Sequence, residues 1–269
     1  MHDALALAHR LEQAEGQANA AFVAARARLQ PEVGAASTVV AGARCMFDGA
    51  DSPLTQTFGL GLAPCDDAAL DAMEAFFAER GAPVAHELCT LVPSDLVTRL
   101  AARGYVPLEA SAVHVRTITP RAAPSGTLHV RAIGPGDAAM WARTAREGWS
   151  AEAPELGEFL EQMGGIIAGA EGATCFVAEQ GGAPVATAAL VVHDGVALLA
   201  GASTVPAARR QGAQQALLDA RLAFAAAHGA DLAMVVTQPG SASQRNALRQ
   251  GFRPVYTRAK WVRALGVIA

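Results

Sequence analysis

The residues that could do chemistry gather around one stretch, "VPAARRQGAQQALL", Val205 to Leu218. A strand-like run through Ser203, Thr204 and Val205 breaks at a proline, and Arg209, Arg210, Gln211 and Gly212 follow. A helical pattern then begins at Ala213 and Gln214. The first turn of a helix leaves N–H groups without partners and carries a partial positive charge, so it suits an anion such as phosphate. Gly212 allows a backbone φ that other residues resist and lets a ligand come close. The two arginines add charge. The bland alternative for the same residues is a solvated turn.

Proton chemistry has weaker candidates. Glu147, Glu152 and Glu155 follow a helical pattern and could serve as a general base through water. None has a distinguishing neighbour, so each also reads as a surface carboxylate. Tyr256 is the only tyrosine in the C-terminal half; it could donate a proton, line a pocket or pack in the core. Trp141 and Trp149 could wall an acceptor pocket, but their helical spacing favours core packing. The four cysteines form no C-x-x-C pair and have no histidine at metal-ligand spacing. No metal site is expected, and the thiols read as small hydrophobes in a reducing cytoplasm.

These residues need a scaffold, and 269 residues suffice for two domains of ordinary size. A net charge of −4 argues against nucleic acid as a partner. The apolar fraction is largely alanine, and the mid-chain run Val185 to Val192 is too short to span a bilayer. The N-terminal residues carry acids early and no clean apolar core, unlike a signal peptide. The expectation is a cytoplasmic protein without a membrane partner; its oligomeric state is left open.

An internal repeat organises the chain. "AERGAPVAHELCTLVPSDLVTRLAARGYVPL" from Ala78 is matched by "AAHGADLAMVVTQPGSASQRNALRQGFRPVY" from Ala226. Each opens with a helix stopped by glycine, Gly81 or Gly229. A strand follows, Val84–Leu91 or Leu232–Thr237, and then a second helix ending at Gly104-Tyr105 or Gly251-Phe252. A final strand closes each copy, Val113–Ile118 or Tyr256–Val262. Upstream, "TQTFGLGLAP" parallels "LLAGASTVP". The Pro- and Gly-rich segment Thr119–Thr127 reads as a linker, giving domains at 1–122 and 123–269, with a helical segment from Asp3 to Leu29. In the second copy Asp137 is placed to cap a helix. Gly181-Gly182 and His193-Asp194-Gly195 are hairpin turns between three strands. Helices and strands in this order predict a mixed, mostly antiparallel α/β sheet flanked by helices.

With these residues in place, the chain resembles the GCN5-related N-acetyltransferase (GNAT) superfamily in a tandem form. "GASTVPAARRQGAQQALL" and "GSASQRNALRQGFRPVYTR" carry the resemblance, which is strong from about Leu128 to Arg263. The family's acyl-CoA loop reads [Arg/Gln]-x-x-Gly-x-[Gly/Ala]; Arg209 and Gly212 fit, and Gln214 departs. Its side chain is expected to lie outward along the helix. The resemblance implies an α/β (α+β) fold of two acyl-CoA N-acyltransferase-like domains, the first degenerate and without the CoA loop. It implies direct acetyl transfer from acetyl-CoA to an amine, most simply that of a small molecule. It further implies cofactor contacts at Ser203, Thr204, Val205, Arg209, Arg210, Gln211, Gly212, Ala213, Gln214 and Asn246, with catalytic candidates Tyr256 and Glu147. The family often places a tyrosine acid four residues before the glycine of Gly-Phe; here that residue is Ala247. A non-catalytic acyl-CoA-binding or ligand-sensing module is therefore the alternative, and a scaffolding pseudo-enzyme a third reading. In the first copy Asp66 and Asp67 stand where the arginine loop would be, and "GLGLAP" lacks a dinucleotide fingerprint's third glycine and acid.

Overall fold

The computed structural model describes residues 2–119, 128–134, 136–150, 155 and 157–264. The first half runs α1 (His2–Leu29), β1 (Ala36–Val40), β2 (Ala43–Phe47), β3 (Gln56–Phe58), α2 (Asp67–Ala78), β4 (Val84–Cys89), α3 (Ser94–Ala102) and β5 (Val106–Thr117). The second runs β6 (His129–Ala132), α4 (Ala138–Trp149), α5 (Gly157–Ala168), β7 (Ala173–Gln180), β8 (Ala183–His193), β9 (Val196–Thr204), α6 (Ala213–Ala227), β10 (Leu232–Thr237), α7 (Ala242–Arg249) and β11 (Arg253–Arg263). Both halves contain three strands in a meander, then helix, strand, helix, strand. The repeat extends to single hydrogen bonds. Tyr105 N donates to Leu100 O and Phe252 N to Ala247 O, both at 3.1 Å, closing α3 and α7 identically.

The chain forms two compact units, residues 1–116 with 234–269, and residues 117–233. Apart from Thr119, the expected linker lies outside the described residues. In the first unit the strand order is β1-β2-β3-β4-β11-β5-β10. β11 pairs antiparallel with β4 on one side and β5 on the other. The last strand of the second copy thus lies inside the sheet of the first unit. Nothing in the hydrophobic pattern specifies this, because strand alternation records which face is buried and not which neighbour is paired. Leu70, Met73 and Phe77 of α2 and Leu96 and Leu100 of α3 form a core against Cys45 and Leu88.

On α1 the buried residues include two charged ones, Glu12 and Arg26. Arg26 pairs with Asp48 at 2.9 Å. Glu12 meets β11: Tyr256 Oη donates to its Oε1 at 2.8 Å, and Arg258 Nη1 lies 3.1 Å away. Arg258 also contacts Glu15 at 2.7 Å and Glu87 at 3.5 Å. Burial pushes the Glu12 carboxyl up to about 7, opposed by the Arg258 charge.

The second unit orders its strands β9-β8-β7-β6, all antiparallel. Its two hairpins turn at Gly181-Gly182 and Asp194-Gly195, all four with positive φ, as two-residue turns of the primed type require. Cys175 and Val177 pack on Trp141 of α4, whereas Phe176 meets Phe224 of α6 edge to face. Since strand side chains alternate, α4 and α6 cover opposite faces. Three of the four cysteines are buried, and Cys65 is half-buried.

Candidate functional site

β9 is buried along its first four residues, but Ala200, Gly201 and Ala202 are exposed in mid-strand. There its pairing slips. Ala200 faces Ala189 and Ser203 faces Thr187, so Gly201 and Ala202 together oppose one residue of β8. This is a β-bulge, with Gly201 at φ 60°. A bulge frees backbone groups from the ladder and re-aims them. The strand is therefore open where its residues are smallest.

Beyond β9 the chain makes one 3-10 turn, Pro206–Ala208, and enters the arginine loop. Arg209 has φ −65°, Arg210 +63° and Gly212 +86°, and Gln211 between them is not positive. Arg209 is extended and Arg210 and Gly212 are left-handed, so the loop turns sharply twice before α6, and amides presented by such turns can receive an anion. Of the non-glycine residues with positive φ, Ala41 and Asp194 sit in hairpin turns, while Arg210 sits in none. Holding Arg210 there costs about 1–2 kcal/mol. Gly212 is the N-cap of α6, and no side chain caps this 15-residue helix. A Cβ on Gly212 would meet nothing within 4 Å. Amides, dipole and open space thus coincide. The residues fit a pyrophosphate, with Arg210 exposed beside it.

The first copy offers an internal contrast. There α2 is capped, with the Asp66 carboxylate accepting from Ala69 N at 2.9 Å. Arg99 and Arg103 from α3 pair with Asp67 at 3.5 and 3.2 Å. This helix start is satisfied by its own chain.

The structure gives each of these residues its own partners. Gln214 is exposed, and its Nε2 donates to Thr204 Oγ1 at 2.7 Å, tying the start of the helix to the end of the strand. Arg209 reaches inward, donating to Thr204 O at 3.2 Å and Gly148 O at 2.8 Å. It therefore braces the loop against α4. Gln211 bonds Ala207 O and receives Gln180. Ser203 is buried, its hydroxyl 2.9 Å from Thr187 Oγ1. Val205 donates to Val185 O and accepts from Ala208 N, both at 3.0 Å, so its backbone is engaged. Ala213 is buried under the loop. Asp137 occupies the N-cap position of α4 but makes no capping bond. Its carboxylate takes Arg131 at 2.6 Å and Gly134 N at 2.9 Å. Chiefly the Arg131 hydrogen bond holds it below the usual carboxylate range.

Among the catalytic candidates, Tyr256 folds with the first unit, buried and bonded to Glu12. Burial first, then the Glu12 charge, pushes its phenol well above its ordinary range. Asn246, also in that unit, is exposed and accepts from Arg249. Glu147 is exposed near the end of α4, and Glu155 is exposed; Glu152 lies outside the described residues. Trp141 is core, its Nε1 donating to Phe176 O at 2.9 Å, whereas Trp149 is 42% exposed. Among the described residues, no group of three acidic, histidine or cysteine side chains could hold a metal, and no helix is long and apolar enough to cross a membrane.

Sequence reasoning missed Gly148. A Cβ there would lie 2.5 Å from Ser203 Oγ and 3.0 Å from Thr204 N. Only its place in "REGWS", one turn after Ala145, hinted at a close helix–strand approach.

Comparison with known proteins follows the same lines. Residues 109–235 match the family model described as Acetyltransferase (GNAT) domain. Among solved structures, a GCN5-related N-acetyltransferase from Kribbella flavida superposes with a TM-score of 0.62 at 21% identity, covering 92% of this chain and 97% of the other. A tandem GNAT protein from the clavulanic acid biosynthesis pathway gives 0.60 at 15% identity, covering 86% and 81%. A GCN5-related N-acetyltransferase from Sphaerobacter thermophilus gives 0.53 at 15%, covering 77% and 71%. No curated protein matches the sequence significantly. The fold is thus the expected tandem GNAT type, mixed α/β with a mostly antiparallel sheet flanked by helices.

Proposed function

We propose that this chain, whose residues 109–235 match the GNAT acetyltransferase domain model, transfers an acetyl group from acetyl-CoA directly to an amine. One observation carries this reading: the uncapped start of α6 and the alternating-φ loop before it lie directly after a strand with an open bulge. Acetyl-CoA brings the activated thioester. The chain's own residues hold and orient it. The loop amides from Gln211 onward and the α6 dipole receive the pyrophosphate, and Arg210 adds charge. Arg209 and Gln214 act behind the loop, fixing its shape against Gly148 and Thr204. The bulged backbone of β9 offers a hydrogen-bond donor to the oxygen on which charge develops. Glu147, exposed near the end of α4, is the candidate to take the amine's proton through water. The acceptor is a small amine; the charge of −4 speaks against nucleic acid.

A second reading, a CoA-binding module without turnover, is favoured by Ala247 at the usual position of the acid and by the engagement of Tyr256 with Glu12. Titration calorimetry with acetyl-CoA and thiol release over a panel of amines separate the two. Binding with turnover supports transfer, and binding without turnover on any amine supports the module. Arg210→Glu should weaken acetyl-CoA by at least about tenfold, ~1.4 kcal/mol, with unchanged circular dichroism. Absence of acetyl-CoA binding at high micromolar concentration sinks both readings.

A further inference from the structure

Among the described residues, the second unit buries one cation. Arg221, on α6, is 4% exposed. Burial draws its guanidinium down to about 10, and among the described residues no carboxylate opposes the shift. It is still charged at neutral pH. A buried ion without a counter-charge is costly, and an apolar side chain of similar volume would avoid that cost. Its donors go instead to two carbonyls. Nε reaches Leu217 O in its own helix, and Nη1 reaches Ala189 O in β8, both at 3.2 Å.

Ala189 is the residue at which the β8–β9 register slips, the last partner of Ala200 before the bulge. A bulge leaves its extra residue unpaired and disrupts the ladder locally, here directly beside Ala189. Arg221 supplies a donor there from the α6 face. From the α4 face, the Trp141 ring lies 3.6 Å from the position of a Cβ on Gly201. The bulge is thus held from both sides. Arg221 is eight residues beyond Ala213, about 12 Å along one rigid helix whose first turn faces the loop.

We infer that Arg221 is a positioning residue for acyl transfer: it fixes the bulged backbone of β9 relative to the anion-facing end of the same helix. The inference rests on the acyl-CoA reading above. It concerns the carbonyl end of the ligand and not its phosphates, so the two are separable.

The test is the infrared carbonyl stretch of acetyl-CoA labelled with carbon-13 at the thioester carbon, bound to wild type, Arg221→Met and Arg221→Lys. Calorimetry with CoA runs in parallel. In the wild type the bound carbonyl should absorb at lower wavenumber than free acetyl-CoA, reporting a donor on its oxygen. Arg221→Met should lose most of that displacement while CoA affinity stays within about threefold. Arg221→Lys keeps the charge but reaches one carbonyl at a time, and should fall between. If the methionine variant does not fold, the lysine variant decides: a reduced displacement supports the inference and an unchanged one overturns it. A wild-type stretch equal to that of free acetyl-CoA, or a folded methionine variant with the full displacement, overturns this inference alone. Failure of the wild type to bind acetyl-CoA overturns the functional reading along with it.

Discussion

Replacing Gly148 with alanine tests how α4 is clamped to the strand that feeds the loop. The added Cβ would lie 2.5 Å from Ser203 Oγ, 2.6 Å from Ser203 Cβ and 3.0 Å from Thr204 N. Non-bonded carbon atoms prefer about 3.5–4.0 Å, so the helix must retreat by roughly 1 Å. Ser203 cannot swing aside without losing its buried bond to Thr187, worth about 1 kcal/mol. Overpacking of this kind costs about 1–3 kcal/mol. The helix propensity gained over glycine returns at most about 1 kcal/mol, and less near a helix end. A net loss of roughly 0.5–2.5 kcal/mol is expected in urea denaturation followed by circular dichroism. The retreat also draws Gly148 O away from Arg209, so acetyl-CoA affinity should fall in the same variant. Adding Ser203→Gly removes the two closest of these three atoms, and the pair should show a favourable coupling of about 1–2 kcal/mol. A Gly148→Ala protein as stable as wild type, or a pair without coupling, would refute the clamp.

At Gly212 nothing lies within 4 Å of a Cβ, so the penalty is one of backbone alone. Gly212→Ala should cost about 1–2 kcal/mol in urea denaturation, and Gly212→Asn, which tolerates positive φ and caps helices, clearly less; equal losses would contradict a conformational origin. For Glu12, a folded carboxyl raised to about 7 holds its proton where the unfolded chain, near 4.5, has released it. Its contribution is fully present below 4.5 and declines as pH rises towards 7, by about 3 kcal/mol. Glu12→Gln keeps an acceptor for Tyr256 and Arg258, so the wild-type loss of stability between pH 5 and 8 should flatten in the variant; identical profiles would show that Glu12 does not titrate in that window.

Local structure was readable where one residue carries one constraint. The glycines that end helices and turn hairpins appear in the sequence because few other residues adopt those backbone angles, and they exposed the repeat. The arginine loop was readable for the same reason. Its side chains were not. Arg209 looks like a phosphate ligand by type, but a neighbouring helix carbonyl from Gly148 captures it, and no local rule foretells a partner 61 residues away. The bond of Gln214 to Thr204 was equally hidden, because Thr204 lies across a turn and not along the helix. Asp137 sits where a cap belongs, yet its carboxylate turns to Arg131 and to Gly134 N and not to the first turn of α4. Nothing in the sequence around Glu12 and Glu15 announces Arg258, which arrives from the far end of the chain.

That arrival sets an order of events during synthesis. The unit of residues 117–233 is continuous in sequence and can close as soon as it leaves the ribosome. The other unit cannot, since β11 must enter between β4 and β5. While more than a hundred residues are still being translated, β4 and β5 wait with unpaired edges, the state in which strands recruit foreign ones. The N-terminal half is born first and finished last. A chain cut anywhere before Arg253 would strand it in that condition, however sound its own residues.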